Sequence, residues 1–391
     1  MFDNSFGSLL AQQDRETTER YFPGLATALG KHSTLDLENI RGLALTEFKT
    51  AGGPSMLVPV SAGGQGLSCS DALAVQSVLS SISPALGVAT MMHHLAVVSF
   101  VEYLRVHVGD DAPQWRLLEV VARERLLMAS ASSEARSGKG ALVPRTVATQ
   151  TPDGFVLRGS KKPCSLAESM DLLTASVTIR SSGPDDGTVG LAILPAGVEG
   201  LRVAKFWRTS VLDAAENDEV ILDDVEVTAE MVLPGGQPTQ RMDELQVRAW
   251  TWFEILACGT YLGPVMALYE RAVEAGRVGI DHRGLGDVSA RIYACRAAAD
   301  SAARTFETTT DSDRAMAHAL MARNFVQESA PALCAELSRL LGGLNFVADP
   351  LSAYMIGASR AMAFHPPRST ASSEALGEWA RGNDLDLGMF G

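Results

Sequence analysis

The spacing of apolar residues changes period twice along this 391-residue chain, and the order of the changes limits the folds open to it. From Leu9 to about Arg125 apolar residues recur at helical spacing, most densely in DALAVQSVLSSISPALGVATMMHHLAVVSFVEYLRV, residues 71–106. From about Leu126 to Gly236 the period shortens toward two. Candidate strands fall at 155–158, 172–178, 188–194 and 219–227, with turn signals at Asp153-Gly154, Gly183-Pro184-Asp185 and Gly197. From Gln240 to about Gly377 helical spacing returns, broken at GIDHRGLGD, TTTDSD and LLGGLNFVADP, a rhythm that predicts four or five long antiparallel helices. The expected fold is mainly α with a central β-domain: a helical domain over 1–125, a small, mostly antiparallel β-barrel or sandwich over 126–236, and a helical bundle over 237–391. The length exceeds the range in which one core keeps growing, which also predicts two or three domains.

A formal net charge of −13, with no Lys/Arg cluster, argues against a nucleic-acid partner, because neutralising phosphates needs a basic footprint. The five cysteines are scattered, odd in number and free of C-x-x-C spacing, which predicts reduced thiols in a cytoplasm and no metal centre. The opening MFDNSFGSLLAQQDRETTERYF mixes acids and bases and lacks the unbroken apolar stretch of a secretion signal. His93 and His94 lie in the most apolar run and are expected to be hydrogen-bonded core residues without a chemical role.

Two stretches depart from plain structural patterning. In GSKKPCS, residues 159–165, a proline interrupts a strand pattern, so the chain near Pro163 lies at a sheet edge, in a bulge or against a ligand. In AWTWFEILACGTYLGPVMALY, residues 249–269, Glu254 is the one charged side chain on a helix that is apolar all round. Such a helix is enclosed by protein, and Gly259, Gly263 and Pro264 together with the absence of a second such segment argue against a membrane span. Burial raises the pKa of a carboxylate placed there, and two readings stay open for Glu254: an ion pair with a buried arginine of a neighbouring helix, or a catalytic base.

Four segments resemble the acyl-CoA dehydrogenase family of flavoproteins, in an order that runs over essentially the whole chain. ASSEARSGKG (131–140) is similar to the family's T-E-x-x-x-G-S-D stretch, with Ser133, Glu134 and Gly138 at the Thr, Glu and Gly positions. GSKKPCS resembles G-x-K-x-W-I-[ST], whose last residue lies against the flavin. WRTSVLDAAENDEVILDDVEV (207–227) is similar to the R-x-S region and the strand after it, and RLLGGLNFVADPLSAYMIGASRAMAFHPP (339–367) to the Q-x-x-G-G-x-G-[FY] segment and the helix that follows. The resemblance implies FAD between the β-domain and the C-terminal four-helix bundle, in a homodimer or homotetramer. It assigns cofactor contacts to Ser133, Gly138, Cys164, Ser165, Gly342 and Gly343. It also places Lys139 and Arg339 where the family has a pyrophosphate-binding Ser and a Gln; both are cationic and suited to a diphosphate, and a solvated surface position is the other reading for Lys139.

Departures from the family pattern bear on mechanism. Pro163 replaces an aromatic of the flavin wall, the R-x-x-F-G segment survives only as Arg277-Val278-Gly279, and Pro366 stands where the commonest subgroup has its catalytic Glu. A second subgroup carries its base on the first long helix of the bundle, within about one residue of Glu254. The reaction the resemblance implies is α,β-dehydrogenation of an acyl thioester, carried on coenzyme A or a carrier protein, with Glu254 as base and electron-transfer flavoprotein or oxygen as acceptor. The alternatives are a flavin-dependent monooxygenase on the same fold, favoured by the missing carboxylate, and a non-catalytic member that has lost its flavin.

Overall fold

The computed structural model describes residues 6–109, 114–135, 143–237, 242–275 and 281–387. The first part is helical: α1 (Phe6–Tyr21), α2 (Leu25–Leu29), α3 (Thr34–Asn39), α4 (Leu43–Thr50), α5 (Cys69–Ile82), α6 (Pro84–His107) and α7 (Trp115–Glu124). Side-chain caps start the two core helices. Ser68 Oγ accepts from Asp71 N at the head of α5, and Ser83 Oγ accepts from Leu86 N at the head of α6. Ser83 in turn donates to Glu38, whose carboxylate also accepts the amide of Ala85 at 3.0 Å, so a buried acid faces the positive end of α6. Helix α6 is long and apolar enough to cross a membrane, but 89% of that stretch is buried inside the protein.

The second part is one eight-stranded sheet: β1 (Met128–Ala131), β2 (Val147–Thr151), β3 (Gly154–Cys164), β4 (Leu172–Arg180), β5 (Val189–Pro195), β6 (Leu201–Ala204), β7 (Asp218–Val227) and β8 (Val232–Leu233), in the order β6-β7-β3-β2-β4-β5-β8. The four candidate strands correspond to β3, β4, β5 and β7. The strands that patterning missed span two to five residues, too short for alternation to register. The sheet is mostly antiparallel, as expected, but β1 and β2 both run parallel to β4 and lie end to end along the same edge of it. Pro163 falls in a register shift between Lys161 and Cys164 against β7, so the bulge reading of that proline holds.

The third part contains three long helices, α8 (Glu244–Ala275), α9 (His282–Thr308) and α10 (Ser312–Leu341), then α11 (Gly343–Ala348), α12 (Leu351–Ser359) and α13 (Ser369–Ala380). The expected fourth long helix is divided, because Gly342, with φ +90°, ends α10, Pro350 separates α11 from α12 and Pro366-Pro367 precede α13. Helix α8 packs against α1, α5, α6, α9, α10 and α12. Two glycines bring its backbone against α5: a Cβ on Gly259 would stand 2.8 Å from Leu73 O, and one on Gly263 2.5 Å from the carbonyl carbon of Ser80. Polar groups in this tight seam are paired, Gln76 donating to Thr260 Oγ1 at 3.0 Å and Ser80 Oγ to Thr260 O at 2.5 Å.

Glu38 ties the three parts together. Tyr354 of α12 donates its hydroxyl hydrogen to Glu38 and accepts from Leu212 N at 2.9 Å, so one phenol joins an N-terminal helix, the sheet's connecting loop and the C-terminal helices. Nearby, Arg41 reaches Asp213 at 2.8 Å and both Asp218 and Glu168 at 2.7 Å. Tyr354→Phe therefore leaves a buried carboxylate and a backbone amide each short of a partner. We expect a loss of about 1–3 kcal/mol, read as a lower midpoint in thermal or urea unfolding; an unchanged midpoint rules out the clamp.

Candidate active site

Between β1 and β2 the chain leaves the sheet and returns to the same edge of β4, and Glu134 closes that excursion. Its carboxylate accepts the amides of Arg145 and Thr146 at 3.0 Å, the Thr146 hydroxyl at 2.9 Å and the Lys161 ammonium at 2.9 Å. The Lys161 side chain is 0% exposed and that of Glu134 6%. Burial pushes the Glu134 carboxyl up, but the lysine and the two amides outweigh it and hold the group at about 2. Gly138 and Lys139, expected at the cofactor, lie outside the described residues, as does Arg277-Val278-Gly279.

The excursion begins beside the bulged end of β3. Lys162 N donates to Ser133 O at 2.8 Å, so the structure brings the Ser133 and Ser165 segments together. Within that wall Ser165 donates to Asn217 Oδ1 at 2.6 Å, and its hydroxyl hydrogen is thereby committed. Asn217 had no sequence signal. The Cys164 side chain is fully buried, its thiol pushed up to about 12 by burial and packed toward Ser130 O. Gly342, Gly343 and Arg339 lie at the far end of α10. Arg339 is exposed, 3.9 Å from Glu336, and no described hydrogen bond or ion pair joins these residues to the sheet.

A cavity of about 210 Å³ opens next to β1. Its walls are Leu95, Ser99 and Tyr103 of α6, Ser130 and Ser132 flanking the end of β1, Leu191 of β5, and Ala249 and Trp250 at the start of α8. It shares the end of β1 with the Ser133 segment. Ser176, also in its wall, accepts from Lys161 at 3.1 Å.

One turn along α8 stands Glu254, fully buried, with Oε2 at 2.9 Å from Nε of Arg323 on α10, itself fully buried. Of the two readings left open for Glu254, the structure contains the ion pair. The contact lacks hydrogen-bond alignment, since neither carboxylate oxygen nor Arg323 Nε has a hydrogen-bonded partner. Burial pushes the Glu254 carboxyl up to about 7, against the pull of Arg323. Arg323 Nη2 donates to the His365 carbonyl at 2.8 Å, and the His365 imidazole meets the Tyr261 hydroxyl at 2.6 Å through Nε2. His365 packs edge-on to Phe253, with centroids 5.7 Å apart, and Phe253 edge-on to Trp250 of the cavity wall. Burial, then the guanidinium, depress the His365 imidazole to about 4. His365 sits beside the Pro366 that drew attention in the sequence, where only a missing carboxylate was sought. Of the two core histidines, His93 is partnered as expected, accepting from Met128 N and joined to Pro54 O; His94 has no hydrogen bond among the described residues.

This architecture is that of the acyl-CoA dehydrogenase-fold flavoproteins. No family model matches the chain. It is 35% identical, over 95% of its length and 98% of the relative's, to an isobutylamine N-hydroxylase of Streptomyces viridifaciens. It is 26% identical over 52% of its length, and 46% of the relative's, to a dibenzothiophene monooxygenase of Rhodococcus erythropolis. Among solved structures it superposes on FMN-bound TdsC from Paenibacillus sp. A11-2 with a TM-score of 0.80 at 18% identity, over 94% of this chain and 99% of that one. KijD3 in complex with FMN and an amino-keto sugar nucleotide matches with a TM-score of 0.79 at 18% identity, over 98% and 96% of the two chains. The chain belongs to the acyl-CoA dehydrogenase-fold family of flavin-dependent oxidoreductases, as a divergent member. It is an enzyme of that family.

Glu134→Gln is nearly isosteric and strands the Lys161 charge. We expect a loss of about 3–5 kcal/mol of stability, measured by chemical unfolding. The Glu134 carboxyl lies below its ordinary value of 4.5, so its contribution is fully present above pH 4.5 and is lost as pH falls toward about 2. The variant should therefore lose less stability than the parent over that window; parallel pH dependences contradict the assignment.

Proposed function

We propose that this enzyme is a flavin- and oxygen-dependent monooxygenase that N-hydroxylates a small primary amine. The observation that carries the reading is the 35% identity, across nearly the whole chain, with a protein named isobutylamine N-hydroxylase. The paired state of Glu254 supports it: an α-proton base has to reach substrate, and this carboxylate is enclosed with Arg323. Dehydrogenation of an acyl thioester is thereby the weaker reading.

The residues at the end of β1 and β3 suit a flavin. Ser133 and Ser165 supply hydroxyl and backbone groups to the wall, and the one carboxylate of that segment, Glu134, is turned inward to Lys161. FAD is the proposed flavin. When bound and reduced, the flavin supplies two electrons and activates oxygen, one atom going to the amine nitrogen and the other to water.

The chain's own groups prepare the amine. An alkylammonium has no free electron pair on nitrogen; the apolar side chains Leu95, Leu191, Ala249 and Trp250 suit the alkyl chain, and the Asp243 carboxylate in the same wall suits the ammonium before it gives up its proton. About 210 Å³ falls below the ~300–1,000 Å³ of drug-sized pockets, which favours a short alkyl chain. Tyr261 is 1% exposed, and among the described residues its hydroxyl hydrogen has one acceptor, His365 Nε2. With Tyr261 as the donor to Nε2, the ring proton of neutral His365 is on Nδ1; the ring connects to the cavity wall through Phe253 and Trp250, and we propose it as a hydrogen-bond donor for the reacting oxygen.

The test supplies the flavin-loaded enzyme with reduced flavin from a flavin reductase, in ¹⁸O₂, with a series of primary amines. We expect hydroxylamines carrying one labelled oxygen, with turnover falling as the alkyl chain lengthens. Absence of oxygenated product, together with anaerobic bleaching of the flavin by an acyl thioester, restores the dehydrogenase reading.

A further inference from the structure

We propose that the buried Glu254–Arg323 pair is a positioning device for His365: the guanidinium holds the backbone that presents the imidazole, and the carboxylate holds the guanidinium. The inference rests on the role given to His365 above and concerns residues that no comparison assigns.

His365 follows a single 3₁₀ turn, Arg360–Phe364, whose terminal carbonyls have no further turn to accept from. Arg323 meets that need from α10. Its Nη2 donates to His365 O at 2.8 Å and, at a longer 3.4 Å, to Met362 O, placing a cation at the negative end of the turn. Among the described residues, no other side chain donates to the His365 carbonyl. Among the described residues, the imidazole is held from α8, through the Tyr261 hydroxyl at Nε2 and the edge contact with Phe253. Phe253, Glu254 and Tyr261 lie on one helix, so α8 holds the ring directly and, through Arg323, the backbone that carries it.

A structural role by itself accounts poorly for the pair. Both side chains are 0% exposed, and Glu254 Oε1 and Oε2 and Arg323 Nε and Nη1 lack hydrogen-bonded partners. A buried ion pair so thinly satisfied stabilises a core no better than apolar residues of similar volume. What apolar residues cannot supply is the donor to the turn and the charge beside the imidazole. The titratable and charged groups recorded against His365 are Tyr261 from α8, through its hydrogen bond, and Arg323 from α10, through its charge; Glu254 acts on Arg323, and Cys258, one turn past Glu254, is a thiol that burial keeps protonated. Burial, with the guanidinium next, keeps the imidazole neutral across the physiological range.

The deciding variant is the double replacement Glu254→Met with Arg323→Met, which removes both charges and roughly keeps the volume; Arg323→Lys, which keeps the charge and gives up the fork, is the second should the double variant fail to fold. Imidazole ¹⁵N spectra of the flavin-free protein, with the His365 signals assigned by their loss in His365→Ala, report the ring directly. In the parent we expect one neutral tautomer with the proton on Nδ1. In both variants we expect mixed tautomers, with the titration moved upward only in the double replacement, which lacks the cation, and in the flavin-loaded enzyme a fall in amine turnover of about ten- to a hundredfold at near-parental melting temperature. Unchanged His365 signals with parental turnover overturn the proposal. Should His365→Ala hydroxylate amines at the parental rate, the chemical role of His365 fails, while the spectra still decide whether the pair positions the ring.

Discussion

The enclosure of α8 is the constraint on which the rest of the molecule depends. A helix apolar on all faces has no stable place at a surface, and here α1, α5, α6, α9, α10 and α12 close around it. Gly259 and Gly263 let α5 approach to backbone contact, and Gly87 does the same for α6, where a Cβ would stand 2.5 Å from the side chain of Ser80. The three helices thus pack at close backbone contact, where a buried polar group is best served by a protein partner. That requirement explains the Gln76–Thr90–Thr260 network and the position of Arg323 opposite Glu254. It also brings the first turns of α8, with Ala249 and Trp250, to the wall of the cavity beside β1.

The site is a meeting of the sheet with this helical unit. Because β1 and β2 share one edge of β4, the segment between them must leave the sheet and come back, and Glu134 is the residue that makes the return specific. The bulge at Pro163 turns the end of β3 toward the same place, where Lys162 N reaches Ser133 O. Arg41 and the Glu38–Tyr354–Leu212 link then set the helices before and after the sheet against its loops. Each of these contacts joins residues far apart in sequence, so the geometry of the site exists only in the assembled chain.

That dependence accounts for what could be read from the sequence. The long strands and the all-round apolar helix were legible because alternation and helical periodicity are local properties. The parallel pairing of β1 and β2 with β4 was not, because register between distant strands leaves no local pattern. Glu254 declared itself through its surroundings, yet its partner did not: Arg323 lies in MARNFVQ, a stretch that reads as an ordinary amphipathic helix, and only packing against α8 buries it. His365 was hidden by a search for a carboxylate at its neighbour, Pro366. For Ser165, the residue type was readable and its orientation toward Asn217 was not.

The buried carboxylates argue together for the chemistry. Glu38 accepts from Ser83, the Ala85 amide and Tyr354. Glu134 accepts from Lys161 and the returning chain, Glu216 from Ser169 and the amides of Glu168 and Ser169, and Glu254 faces Arg323. Each is committed to a partner inside the protein, and a carboxylate so engaged makes a poor proton acceptor for substrate because that partner would be left without it. Thioester dehydrogenation needs a free carboxylate or an equivalent base at the substrate carbon. Oxygen transfer to an amine needs instead a small cavity for the amine and a neutral hydrogen-bond donor for the oxygen. The cavity at Trp250 and the imidazole of His365 suit the second requirement, and the distribution of buried acids disfavours the first.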